Sequence, residues 1–486
     1  MPHVSRLAIA AGLILTSFDV HAGDTEDAII DKTIAAYGGA ALQQLKTLQI
    51  QDNYKSFREG QSRSPSELDQ VSYRTRTTID FENHRKSLQS IGGVYVAGLY
   101  IQHAFFDGEE GYRVQHSART SSINPRTTFA RADAGLSWLL DIALVKLLSD
   151  ARASAAYRGE AFHRGKRHEL VAFKAEGYPE FTLYIDAATG LVSKMTRPDN
   201  RPASHYSYMF SDHRRQGTFS YAGDTYVTRG GKPESLTVSR SLAFNVDIED
   251  AYQVPVTYGS PQKMIDDSEM TVQQLADGVY LAGKDGGFTV FIDAGDYYIA
   301  SGAYPGLKDR FNALKAFAAA DKPLRYQVVT HHHEDHIAGL WEAADLGATF
   351  IVSGEHLDTV RAAIPIELDN QRFLIAESQG DYADGLIRVV DIASWHSDHN
   401  LVTYIPHAKL AFSADHFFSF AVEGTPAPAE MYAEFKAALD RHNLDIQDLA
   451  AVHSGRVLRY HDLVVSATGP FKALACPDDW DFCLQD

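Results

Sequence analysis

The chain has 486 residues, 45% of them hydrophobic and 22% charged, with a formal net charge of −18. One hydrophobic core rarely serves more than about 250–300 residues, so this globular composition is expected to divide into two large domains. The acidic balance gives no electrostatic footprint for nucleic acid or for an anionic membrane surface, which argues against both as general ligands.

The chain begins MPHVSRLAIAAGLILTSFDVHAGD. Arg6 precedes an apolar run over residues 7–18 and then the small-residue site Val20-His21-Ala22, the layout of a secretory signal peptide cleaved after Ala22. An uncleaved anchor is the alternative, but the run is short for a bilayer. No other apolar segment reaches spanning length, so the expectation is a periplasmic or secreted protein without an integral membrane segment after cleavage. The two cysteines, Cys476 and Cys483, lie in the tail LACPDDWDFCLQD. Oxidising surroundings would allow a small terminal disulfide; two free thiols are the alternative, and a cysteine-based metal site lacks a second pair.

After the leader, Ile30, Ile34 and Tyr37 recur at helical spacing, and Gly38-Gly39 ends the helix. A mainly antiparallel β domain is expected over residues 25–252. In EFTLYIDAATGLVSKM, Phe181, Leu183 and Ile185 alternate with other residues, a turn follows at residues 186–190, and a second strand succeeds it. A helical interlude is expected in GLSWLLDIALVKLLSD. The YGG ending of the first helix and the LYIDAATGLV hairpin resemble the half-barrel of periplasmic lipoprotein carriers. That resemblance implies a curved sheet with an apolar concavity and a lipid ligand; a scaffold without a ligand is the plainer reading. His103, His116, His163, His168, His205 and His213 are scattered through this half with no metal-ligand spacing.

A polar linker is expected over residues 253–270, followed by a second domain over residues 271–486. There GVYLAGKDGGFTVFID and DYYIASGAY read as strands, PGLKDRFNALKAFAAA as a helix, LRYQVV as a buried strand, AGLWEAADLG as a helix, ATFIVS as a strand and EHLDTVRAAI as a helix. Strands alternating with helices indicate a layered α/β domain.

The stretch VVTHHHEDHIAGL places four histidines and two carboxylates in residues 331–336. It is expected as the loop beyond a buried strand, where α/β folds gather their sites. Imidazoles and carboxylates suit zinc and related divalent metals. The H-E-x-x-H helix of the zincins is excluded, because only Asp335 separates Glu334 from His336.

The run His331-His332-His333-Glu334-Asp335-His336 resembles the H-x-H-x-D-H signature of the metallo-β-lactamase superfamily. The similarity continues downstream: IRVVDIASWHSDHNLVTYIP supplies His396, HAKLAFSADHFF supplies Asp415 after a strand, and DIQDLAAVHSGR supplies His453 before a glycine-containing turn. Across about residues 270–460 the resemblance implies an αββα sandwich with metals at one sheet edge. It implies that His331, His333 and His396 hold one metal, that Asp335, His336 and His453 hold a second, and that Asp415 bridges them. Two zinc ions per chain are expected, with iron or manganese as alternatives. Two cations about 3.5–4 Å apart lower the pKa of a shared water enough to supply hydroxide near neutral pH. Asp335 would orient that nucleophile as the catalytic residue.

Asp415 stands where dinuclear lactamases of the thiolate type carry cysteine, and no cysteine precedes residue 476, so that subclass is excluded. The set is more similar to glyoxalase-II-type thioesterases and lactonases. Many relatives carry an aspartate in a VDT or VDA context before the first motif; here YYIASGAY offers Ser301. His332 and Glu334 alternate with the ligands and are expected to point away from the metals. His399 and Arg456 are candidate substrate contacts. The expected function is hydrolysis of a small ester, thioester, lactone or amide. The alternatives are an iron-dependent oxygen- or sulfur-transfer enzyme of the same fold and a non-catalytic periplasmic lipid carrier. Oligomeric state is left open.

Overall fold

The computed structural model describes residues 22–57, 60–94, 98–116, 118–199, 204–471, 476–477 and 480–483. The expected leader lies outside the described residues as far as residue 21. No helix among the described residues is long and apolar enough to cross a membrane.

The N-terminal half is one fourteen-stranded sheet, antiparallel except for its last pairing, carrying a helix over Ala22–Tyr37 and another over Asp141–Asp150. The helical spacing read from the sequence places Ile30, Ile34 and Tyr37 in one core with Ile142, Val145 and Leu148, against Phe181, Leu183 and Ile185 of the sheet. Burying each large apolar side chain there stabilises by about 1.5–3 kcal/mol. The Tyr37 hydroxyl, fully buried, donates to Asp141 Oδ2 at 2.6 Å and accepts from the Val192 amide at 3.0 Å, so the polar tip of the helix face is satisfied. The expected hairpin joins Phe181–Asp186 to Val192–Pro198, and Asp186 Oδ1 accepts from the amides of Ala188 and Thr189 in its turn. Cys476 and Cys483 form a disulfide, beside which Trp480 and Phe482 pack on Ile91.

Residues 253–270 are tied down on both sides. Gln262–Lys263 adds to the edge of the large sheet beside Ser122 and Ile123, while Met264 bridges to Ala421 and Arg126 pairs with Asp267.

The C-terminal half is an αββα sandwich, as the sequence indicates. A seven-stranded sheet runs from Thr271–Ala276 to Phe373–Ala376, antiparallel over its first four strands and parallel over the rest. A six-stranded sheet runs from Gln379–Tyr382 to Ser454–Arg459. Strand alternation divides the apolar residues cleanly: Val290 and Ile292 face the other sheet, where Val389, Leu401 and Phe412 meet them, while Phe291 between them faces Phe311 and Leu314 of the helix Leu307–Ala318. On the far side, Val390, Val402 and Leu449 pack under Phe435, Leu439 and Leu463 of two further helices.

Candidate metal centre

Four strands of the sandwich end at one edge. Leu324–Val328 leads into His331, Ile387–Ile392 into the loop of His396, Leu410–Ser413 into Asp415, and Asp448–Ala451 into His453. The strands are pinned by the sheets, so short loops hold side chains from 123 residues of sequence within a few ångströms. The amide of Val329 donates to Ile351 O at 2.9 Å and that of Leu401 to Thr330 O at 2.7 Å, which fixes the base of the histidine run against both sheets. Where the sequence indicates only a loop, the structure forms a one-turn helix over Glu334–Ile337, with His333 O accepting from the amides of His336 and Ile337. That turn swings Asp335 and His336 toward the second half of the centre.

Asp415 is the hub. Its Oδ2 lies 2.7 Å from His396 Nε2, 3.0 Å from His336 Nε2 and 3.2 Å from His331 Nε2, and its Oδ1 lies 2.7 Å from His453 Nε2. Asp335 Oδ2 stands 3.4 Å from His336 Nε2 and 3.8 Å from His453 Nε2. Two groups of ligand atoms result, His331, His333, His396 and Asp415 on one side and Asp335, His336 and His453 on the other. All seven residues expected from the sequence therefore converge.

Both ring nitrogens of His336 and Asp415 Oδ1 are buried without an aligned hydrogen bond among the described residues, although charged atoms crowd around them. His331 Nε2 and His396 Nε2 approach to 3.1 Å, lone pair toward lone pair unless one is protonated. Donor atoms converging without hydrogen-bond alignment fit cations between them better than a network closed on itself. The tautomers agree with that fit. His453 Nδ1 donates to Gly286 O at 3.0 Å, which frees Nε2 for the centre, and His333 Nε2 donates to Ser62 O at 2.9 Å, which frees Nδ1.

The electrostatics follow from burial and crowding. Burial, reinforced by neighbouring imidazoles, holds His331 and His333 well below the usual histidine value. Burial also opposes charge on Asp415 and His453. For Asp415 the imidazoles of His336, His396 and His453 outweigh it and keep the carboxyl well below its ordinary range; for His453 the charges of Asp415 and Asp335 outweigh it and push the value up to about 9.

The N-terminal half supplies a wall that the sequence did not reveal. Gln61 Nε2 donates to Asp335 Oδ1 at 2.9 Å, the amide of Glu334 donates to Gly60 O at 3.0 Å, and Ser62 O accepts from both His332 and His333. Arg229 pairs with Asp199 and Glu334 together. Glu334 thus points away from the metals, as expected, toward the other half of the chain. Gln61 and Ser62 lie in a polar stretch with no local pattern to mark them.

Ser301, in the position where an aspartate was absent, is buried and accepts from the Thr403 hydroxyl at 2.9 Å. His399 Nδ1 stands 2.7 Å from Asp391 Oδ2, and Arg456 donates to Ala421 O at 2.9 Å; neither belongs to the two ligand groups. Aromatic side chains line the rim: Tyr304 and Phe418 face His453, and Trp395 faces His396. The histidines of the N-terminal half join no ligand group among the described residues; His103 contacts His116, and His213 pairs with Asp141.

Part of this chain is similar to known proteins. The model of the metallo-beta-lactamase superfamily matches residues 279–452. A hydroxyacylglutathione hydrolase from Acidiphilium cryptum (strain JF-5) is 30% identical over 180 residues, which is 36% of this chain and 64% of that protein. The chain therefore spans less than two thirds of that relative's length. Among solved structures, a metallo-beta-lactamase from Hirschia baltica is 16% identical at a TM-score of 0.32, covering 41% of this chain and 96% of its own. The flavodiiron protein from Giardia intestinalis is 17% identical at a TM-score of 0.32, covering 41% of this chain and 58% of its own. The C-terminal region is a metallo-β-lactamase superfamily domain.

Proposed function

We propose that this chain is an exported, dinuclear metal-dependent hydrolase acting on a small ester, thioester, lactone or amide. The observation that carries the reading is Asp415, whose carboxylate stands between the two groups: Oδ2 lies against His331 and His396 of one and His336 of the other, and Oδ1 against His453. One carboxylate between two donor sets is the arrangement that bridges a pair of ions. Zinc suits a set of imidazoles and carboxylates, and a bound pair would supply an acidified water and polarise the scissile carbonyl.

The chain's own residues perform the rest. Asp335 holds Oδ2 toward His336 and His453 while Gln61 occupies its Oδ1, so the carboxylate is fixed in rotation and can accept a proton from the attacking water. Ser62 O and Gly286 O fix the tautomers of His333 and His453. Tyr304, Trp395 and Phe418 give the mouth an apolar rim suited to an acyl group. Among the four substrate classes, the name of the hydroxyacylglutathione hydrolase relative favours the thioester. Export rests on the leader over residues 1–22.

Elemental analysis of the mature protein, beside assays on chromogenic ester, thioester, lactone and β-lactam substrates, tests the reading. About two zinc per chain with turnover of one class is expected. A protein that retains its metals and hydrolyses none of the four classes, loaded with zinc, manganese or iron, would overturn it.

A further inference from the structure

Side chains alternate along the histidine run, so the residue between two ligands faces the other way. His332 is buried, as are its neighbours, yet it belongs to neither group around Asp415. Instead it meets His356, with ring centroids 4.5 Å apart, and Asp398, whose Oδ1 lies 3.1 Å from His356 Nε2. These three residues come from three loops at the same edge of the sandwich. His332 follows the strand Leu324–Val328, His356 closes the turn Gly354–His356 after the adjacent parallel strand Thr349–Ser353, and Asp398 lies two residues beyond His396.

We propose that His332, His356 and Asp398 form a third metal site, separate from the centre on Asp415, for a divalent ion of the zinc class. Each of the three offers a ligand atom, and these atoms lie within 4.8 Å of one another. Two ligands at about 2.0–2.1 Å from one tetrahedral zinc stand about 3.3 Å apart, so the His356–Asp398 pair is already at ligand spacing, and His332 stands within 4.8 Å of both. Two imidazoles and one carboxylate also form the donor set of a zinc site that keeps one position open.

The surroundings are those of a supported ligand set. His332 Nε2 donates to Ser62 O at 3.0 Å, since a carbonyl can only accept; its proton is thereby placed on Nε2 and Nδ1 is left with a lone pair. The Ser397 hydroxyl, 3.3 Å from Nδ1, is a neutral oxygen available as a fourth donor. Asp398 is held by its amide, which donates to Arg63 O at 3.0 Å. The Asp398 side chain is one-third exposed, which gives an ion a way in from solvent. An ion there would join the loops that carry His331, His333 and His396 to one another, and through Ser62 and Arg63 to the N-terminal half. With three protein ligands and no bridging carboxylate, it binds more weakly than the pair on Asp415.

The inference stands apart from the hydrolase reading, and one measurement separates them. The full mature protein is equilibrated with zinc at saturating free concentration, its zinc content is measured, and anomalous difference maps are collected on either side of the zinc edge. Three ions per chain are expected, with the third peak between His332, His356 and Asp398. His356→Ala and Asp398→Asn should each fall to two ions and lose that peak; Asp398→Asn keeps the side-chain shape and decides the matter if His356→Ala does not fold. Saturation at two ions, both on Asp415, would overturn the third site, as would a third ion elsewhere. A third peak with none on Asp415 would uphold it while removing the basis of the hydrolase proposal.

Discussion

In the N-terminal sheet, His103 Nδ1 lies 3.1 Å from His116 Nε2, and His116 Nδ1 lies 2.8 Å from the Tyr258 hydroxyl, with Trp480 packed edge-on against both rings. In the sandwich, His331, His336, His396 and His453 surround the carboxylate of Asp415 at 2.7–3.2 Å. Burial is similar for His103 and His331, at 4% and 0% exposure, so burial does not distinguish them. What differs is the company. The first pair contacts aromatic and neutral groups, and burial together with His116 lowers His103 to about 3. The second set faces shared negative charge at the ends of strands. Loops from several strands bring the second set to one carboxylate, as a metal centre requires, whereas the first pair is packed among aromatic rings.

The contrast can be broken most sharply at the hub. Asp415→Ala removes the bridge from both groups and should cost several kcal/mol of transition-state stabilisation, about a thousandfold in turnover, with zinc content falling from two toward one or none on the Asp415 centre. Steady-state kinetics beside elemental analysis checks this, and a variant retaining both ions and its rate would refute the bridging role.

A second test uses acidity. Metal binding must expel the proton that Asp415 and Asp335 help His453 to hold, up to about 9 against an ordinary 6.5. Apparent zinc affinity of the metal-free protein should therefore rise by up to about tenfold per pH unit between these values. The same proton stabilises the metal-free fold fully below the unfolded value, and that contribution is lost as pH rises through the folded one. Zinc competition with a chromophoric chelator across this window would show the same profile in His453→Ala as in the unaltered chain if His453 were not a ligand.

Gln61→Ala tests whether the N-terminal half supports the centre. Losing a hydrogen bond to a ligating carboxylate should lower metal affinity or turnover by about ten- to a hundredfold, with little change in melting temperature. An unaltered enzyme would reduce the contact to packing. The smallest effect is expected on the other side of the comparison. His103→Ala should cost about 1–3 kcal/mol of stability, read by denaturant unfolding, while leaving the zinc content of the sandwich unchanged. Loss of zinc in that variant would show that the two halves are coupled.

Much of this was legible before any coordinates. The spacing within residues 331–336, followed in order by His396, Asp415 and His453, marks seven candidate ligands, which the structure brings together because each motif follows a strand whose apolar run can be recognised. The expected helix faces hold for the same reason: Ile30, Ile34 and Tyr37, or Phe311 and Leu314, repeat at a period set by the backbone itself. Gln61 and Ser62 escaped notice because they act on residues some 270 positions away, Gln61 on Asp335 across 274 of them, from a loop without a pattern. His332 was legible as a residue facing away from the metals. Its meeting with His356 and Asp398 was not, since those partners lie in separate loops.

The sequence by itself determined the elements and the chemistry of the ligands, because periodicity and side-chain type are local properties of the chain. Only the tertiary structure decided which loops share an edge, which oxygen of Asp415 faces which histidines, and that a turn from the N-terminal half reaches Asp335. Those facts depend on how sheets pack and strands register across long separations, where burial of apolar faces sets the distances and no local residue pattern records them.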